Sequence, residues 1–212
     1  MLNYELQKVF TKIYENFVWG DASRISGQGS FDNSIVNPYV DSISIFLKSF
    51  NKKLKIVDLG CGDFNVGSKI VKYSSEYIAC DIVEFIIEEN KKKYSDLDVN
   101  FSVLDISSDK LPKGDVAIIR QVLQHLCNED ISNIVKKLYG TYQYVIVTEH
   151  IPDKIFVPNK NILSGNGTRM RINSGVILTE KPFFLRIKDQ KVISSIPLGN
   201  TDVLKTIVYQ LY

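Results

Sequence analysis

The residues of this chain able to do chemistry fall in a few short stretches. The first is VDLGCGDFNVG, Val57 to Gly67, in which Asp58, Gly60 and Gly62 occupy alternate positions. Glycine tolerates positive φ and carries no Cβ, so such a turn lets a ligand lie against the backbone. A plain strand-to-helix turn is the alternative reading. The second is Cys80-Asp81, where a carboxylate can accept both hydroxyls of a ribose or, more simply, cap a helix. The third, Val103-Leu104-Asp105-Ile106, offers a carboxylate to an adenine amino group beside an apolar residue for the ring. The chain has only two histidines, His125 in IIRQVLQHL and His150 in Thr148-Glu149-His150. Imidazole titrates near neutrality, which makes either a candidate proton acceptor, with Glu149 as another; a packed or capping histidine is the competing reading.

Arg169, Arg171 and Asn173 lie in NILSGNGTRMRINSG, residues 161–175, between glycines that let the segment move. Two arginines so close can grip a phosphate or carboxylate, although loop arginines are more often solvated. Clustered acids of the kind that hold Mg²⁺ are missing, and no metal site is expected.

Elements must position these groups. Short runs rich in Val, Ile and Tyr predict strands at 54–59, 76–80, 98–104, 115–120 and 143–148, and between them 82–94 and 128–140 carry helical periodicity. Strands alternating with helices imply a doubly wound parallel sheet whose ligand sits at the carboxyl ends of the strands. On a helix beginning near Arg120, Gln121 and His125 share one face. After residue 150 the alternation fails, and two further runs, 182–189 and 203–211, predict an antiparallel pair at the sheet edge. Residues 2–17 and 34–50 have helical periodicity, and WGDASRISGQGS (19–30) between them is a loop able to close over a site. One domain, 1–212, follows: N-terminal helices and lid (1–50), binding core (54–150), a loop (151–181) and the strand pair (182–212).

Together DLGCG, the CD of the second strand and the LDI of the third resemble the motifs of class I S-adenosylmethionine-dependent methyltransferases over roughly residues 54–150. The resemblance implies a Rossmann-like fold with a seven-stranded, mostly parallel sheet, an antiparallel C-terminal pair and an N-terminal helical cap. It implies S-adenosylmethionine as cofactor, on Asp58, Gly60, Cys61, Gly62, Asp81, Ile82, Asp105, Ile106, Arg120 and Gln121. One departure is Phe64, where that family often has glycine, and it predicts less room beside the methionine moiety. The N-terminal loop, YIACDIV and LPKGDVAIIRQVLQHL resemble small bacterial methyltransferases of mostly unassigned substrate. On that likeness Trp19, Arg24, Ser26 and Gly27 form a lid over the methionine end, with Arg24 facing its carboxylate. A solvated loop anchored by Trp19 is the alternative.

A hydroxyl acceptor must lose a proton as it is methylated, which gives His125 the part of general base, with Glu149 or His150 in reserve. The fourth strand ends Ile119-Arg120-Gln121-Val122, without the Asn/Asp-Pro-Pro-aromatic pattern of enzymes that methylate amide or exocyclic amino nitrogens. The expected acceptor is a small polar molecule, a hydroxyl of a sugar or cell-surface glycan precursor, and an anionic sugar or nucleotide sugar if the arginines bind it. Another metabolite or natural product, an NAD(P)-dependent oxidoreductase and a non-catalytic cofactor-binding paralogue are the competitors. The 212 residues carry a net charge of only +2, so no nucleic-acid partner is expected. Three scattered cysteines and the lack of a long apolar run predict reduced thiols, a cytoplasmic setting and no membrane contact, as monomer or homodimer.

Overall fold

A computed structural model describes residues 3–21, 25–199 and 201–212. Seven strands, β1 (Leu54–Leu59), β2 (Ser74–Asp81), β3 (Asn100–Val103), β4 (Val116–Arg120), β5 (Tyr144–Pro152), β6 (Asp189–Leu198) and β7 (Asp202–Gln210), form one sheet. Its order is β3-β2-β1-β4-β5-β7-β6. The first five are parallel, while β7 runs antiparallel to both β5 and β6. This is the arrangement the resemblance implies. The strand order reverses between β1 and β4, and the carboxyl ends of these strands open a crevice there.

Central strands buried on both faces read as continuous apolar runs: five of the six β1 residues are buried. One face carries α1 (Asn3–Glu15) and α4 (Asn128–Leu138), whose Phe10, Ile13, Ile131 and Ile134 pack on Val57, Ala117 and Val145. On the other, α2 (Asn33–Lys48) lays Val36, Tyr39, Ile43 and Leu47 against Ile56, Ile118 and Ile146. The short α3 (Glu84–Lys93) follows β2. These four helices lie within the stretches that periodicity marks, save that α2 starts one residue earlier.

Three expectations need correction. No α-helix follows β1; the chain makes two 3-10 turns, Gly67–Lys69 and Val71–Tyr73. Nor does a helix begin near Arg120, since α4 starts only at Asn128. Gln121 takes a left-handed φ of 56°, and only the 3-10 turn Leu123–His125 follows, so Gln121 and His125 share no helical face. Finally, residues 182–188 are not a strand. Phe183 and Leu185 are buried while Phe184 and Arg186 are exposed, which imitates strand alternation, but the segment forms turns and loop, with Leu185 N–H donating to Leu178 O. The true edge strand, β6, mixes polar and apolar residues, buries none of them fully and so has no legible pattern.

Candidate active site

The crevice deepens into a cavity of about 290 Å³. Its floor is the turn after β1, where Gly60 (φ 87°) and Gly62 (φ 54°) adopt the conformations that favour glycine. A Cβ on Gly60 would also stand 2.4 Å from Val122 Cγ2, so the turn and the segment after β4 are fitted to one another. Gly60 and Cys61 N–H groups donate to Cys80 O at 2.8 and 2.9 Å, tying this turn to the end of β2.

At that end Asp81 accepts from Gly62 N–H at 2.9 Å and from Val83 N–H at 3.0 Å. Asp81 does not cap α3, whose N-cap is Val83 without a side-chain bond; it ties the glycine turn to the residue before that helix and lines the cavity. Burial pushes its carboxyl upward, and the N–H donors oppose the shift. Past β3, Asp105 accepts from Ser107 N–H and hydroxyl at 2.8 and 2.6 Å, which fixes its carboxylate on the wall beside Leu104 and Ile106. Asp58, Cys61, Ile82, Arg120 and Gln121 also reach the cavity. The Asp58 carboxyl is pushed up to about 7 by burial, despite the Tyr77 hydroxyl that donates to it at 3.0 Å. Phe64, in contrast, does not crowd the cavity; it takes a φ of 59° and packs edge-on against Tyr77 and Phe101 on the opposite side of the sheet.

The N-terminal segment closes the top. Trp19, Ser26, Gly27 and the 3-10 turn Gln28–Ser30 line the cavity, and Arg24 lies outside the described residues. The segment is pinned by Arg120, whose guanidinium donates to Gly29 O at 2.6 Å while resting 4.8 Å above the Tyr39 ring. Asn65 donates to Ser30 O at 2.6 Å. Two donors here, Trp19 Nε1 and Arg120 Nε, are buried without a hydrogen-bond partner. Orphaned buried donors are rare in folded proteins, and both of these residues border the cavity, as expected of a site that a polar ligand completes.

His125 forms part of the wall, with its ring 4.6 Å from that of Trp19. Burial lowers it to about 4, so it is a neutral imidazole near pH 7. The turn that carries it is clamped at both ends. Glu149 accepts from Leu123 and Gln124 N–H at 2.9 and 3.0 Å, and Arg169 donates to Leu123 O at 3.0 Å and Leu126 O at 2.7 Å. Arg169 also donates to Lys160 O and Asn128 Oδ1 and is only 1% exposed. It is thus a structural latch, and the two-arginine grip does not form; Arg171 and Asn173 are exposed on the adjoining loop. Glu149 and His150 are likewise not among the lining residues, and His150 Nε2 meets Asp202 Oδ2 at 2.9 Å between β5 and β7.

Sequence reasoning missed one wall. Leu6, Phe10 and Tyr14, one face of α1 at four-residue steps, border the cavity, as do Tyr39 and Gln124. The spacing on α1 was a legible signal of a buried face, though not of what it faces.

Residues 57–142 match the family model of a methyltransferase domain. No curated protein matches the chain by sequence. In fold it is similar to an S-adenosylmethionine-dependent methyltransferase of Leishmania major (13% identity, TM-score 0.66, covering 99% of this chain and 82% of that one). It is similar also to magnesium protoporphyrin IX methyltransferase of Synechocystis with bound S-adenosylhomocysteine (16%, TM-score 0.61, 97% and 98%). A third is human N-acetylserotonin methyltransferase in complex with S-adenosylmethionine (16%, TM-score 0.60, 96% and 59%).

Proposed function

We propose that this chain, an S-adenosylmethionine-dependent methyltransferase of the class I fold, methylates a hydroxyl of a small polar acceptor, a sugar or glycan precursor, with His125 as the general base. The family match and the fold carry the methyl-transfer chemistry and its donor. The residues at the strand ends fit that donor: Asp81 for ribose hydroxyls, Asp105 with Ile106 for adenine, and Arg120, with its unpaired Nε, for the methionine carboxylate. When bound, S-adenosylmethionine supplies an electrophilic methyl on a positively charged sulfur. The acidic side chains around the glycine turn complement that charge, and the aromatic wall of Phe10, Tyr14 and Trp19 excludes water.

The observation that carries the hydroxyl reading is the neutral imidazole of His125 on the cavity wall, a proton acceptor that a hydroxyl needs. Aromatic rings also suit the apolar face of a sugar. With Arg169 committed to backbone carbonyls, support for an anionic acceptor falls away, and a neutral one is the better reading.

The test is incubation with isotopically labelled S-adenosylmethionine and a panel of sugars and sugar nucleotides, followed by mass spectrometry for the added methylene. A methylated sugar hydroxyl is expected, and His125→Asn should lower turnover by about 10²–10⁴ with unchanged affinity for S-adenosylhomocysteine. Full turnover of that variant would remove the base assignment. Affinity without any product would leave a binding paralogue.

A further inference from the structure

His125 is not held by its neighbours at random. Its Nδ1 lies 3.2 Å from Gly167 O, and a carbonyl oxygen only accepts, so Nδ1 bears the proton. Its Nε2 lies 3.2 Å from the side-chain nitrogen of Gln124, which only donates, so Nε2 presents its lone pair. The orientation of the Gln124 amide is fixed in turn, because its Oε1 accepts from His150 N–H at 3.2 Å. Three hydrogen bonds thus run in one direction, from the β5 backbone through the amide and the imidazole to the loop at Gly167. Gln124 is 6% exposed and lines the same cavity as His125.

From this chain we infer that Gln124 is a positioning residue: its amide sets the His125 tautomer and occupies the Nε2 lone pair until an acceptor hydroxyl displaces it. The inference rests on the reading of His125 as the base. In the productive arrangement the hydroxyl replaces the Gln124 N–H as donor to Nε2. As its oxygen commits an electron pair to the incoming methyl carbon, the hydroxyl proton passes to Nε2, and the carbon–sulfur pair stays on sulfur. The resulting imidazolium keeps its Nδ1–H on Gly167 O. Until a hydroxyl arrives the base is masked, which protects it from water admitted to the cavity.

Among the described residues, charged and titratable groups around the ring are few. Arg169 opposes protonation from the loop side, Glu149 from β5 lies beyond the turn and is bound to its N–H groups, and Tyr14 of α1 stands behind Trp19. His150 and Asp202 sit at the far end of the chain of bonds. None of these touches Nε2, so the group bonded there is the one that selects between proton donor and acceptor.

The experiment is two-bond ¹H–¹⁵N correlation on imidazole-labelled protein, wild type and Gln124→Glu. Glutamate keeps the size and an oxygen for His150 N–H, but its second oxygen accepts where the amide donates. In the wild type, His125 should remain the neutral Nδ1–H tautomer from pH 8 to about pH 5, given its pKa of about 4. In Gln124→Glu the imidazolium should persist at least about one pH unit higher, with the acid limb of kcat moving by the same amount. An Nε2–H tautomer in the wild type, or an unaltered His125 titration in the variant, overturns the inference. If the tautomers behave as described while His125→Asn retains full turnover, the positioning stands and the base reading falls.

Discussion

On the proposed reading, Asp81 serves the fold and the ligand together. A carboxylate has about four lone-pair sites, and the N–H groups of Gly62 and Val83 engage two of them. The residue lines the cavity, where on the proposed reading a ribose is held by charge-assisted hydrogen bonds. Asp81→Ala should weaken S-adenosylhomocysteine binding by about 1–3 kcal/mol, measured by calorimetry. Asp81→Asn, which keeps one accepting oxygen, should lose less, and equal affinity in all three proteins would remove the ribose role. This residue was legible in the sequence because the strand end, the glycine turn and the acid constrain each other through backbone geometry. Arg169 was not. Nothing in RMRIN tells a solvated guanidinium from one that satisfies five separate acceptors, since its partners lie more than thirty residues away in Leu123, Gln124, Leu126 and Asn128, with only Lys160 nearby.

Among the elements, the turn that carries His125 is short and heavily braced. A single 3-10 turn leaves most of its N–H and C=O groups without partners of its own. Glu149 satisfies the N–H end and Arg169 the carbonyl end, so a strand and a distant loop do the work that a longer helix would do for itself. Arg169→Met should therefore destabilise the protein by about 3–5 kcal/mol in urea unfolding, because it strands several buried carbonyls at once. Arg171→Ala, on an exposed position two residues away, should change stability by less than about 0.5 kcal/mol and leave acceptor KM unaltered. A large loss of stability in Arg171→Ala would reverse these assignments. The same bracing explains why periodicity misreads this region. In IIRQVLQHL the apolar spacing suits a helix, but Gln121 must turn left-handed to bring its neighbours over Gly60, and that geometry is set by the turn after β1. The 182–189 segment misleads for the complementary reason: its alternation comes from packing Phe183 and Leu185 onto the core, whereas a strand also needs a partner ladder. Strands β1, β2, β4, β5 and β7 were legible because apolar runs bounded by turns leave few other solutions.

At the scale of the whole molecule, the buried titratable groups around the site make opposing demands on stability. Burial raises the Glu149 carboxyl from 4.5 to about 8 and the Asp58 carboxyl from 3.8 to about 7. Between the lower and upper values the folded chain holds protons that the unfolded chain has released, so stability from these two groups falls as pH rises. His125, lowered from 6.5 to about 4, acts in the other sense: between those values the unfolded chain binds a proton that the folded chain refuses, and stability falls as pH drops. Above pH 6.5 only the two carboxyls contribute. The urea midpoint should accordingly rise as pH is lowered from 8.5 to about 6.5, equivalent to about 2–3 kcal/mol, and go on rising below that, because the one histidine offsets only one of the two carboxyls. Glu149→Gln removes the titration and should flatten the slope above pH 7, but its single oxygen serves only one of the Leu123 and Gln124 N–H groups while its NH2 faces the other, so it should be less stable than wild type at pH 6.5. A wild-type midpoint that climbs from pH 6.5 to 8.5 would mean that Glu149 is ionised in the folded state, with Arg169 and the turn N–H groups outweighing its burial. The clamp on His125 would then be an ion pair, and the loss in Glu149→Gln would be greatest at pH 8.5 instead of at pH 6.5.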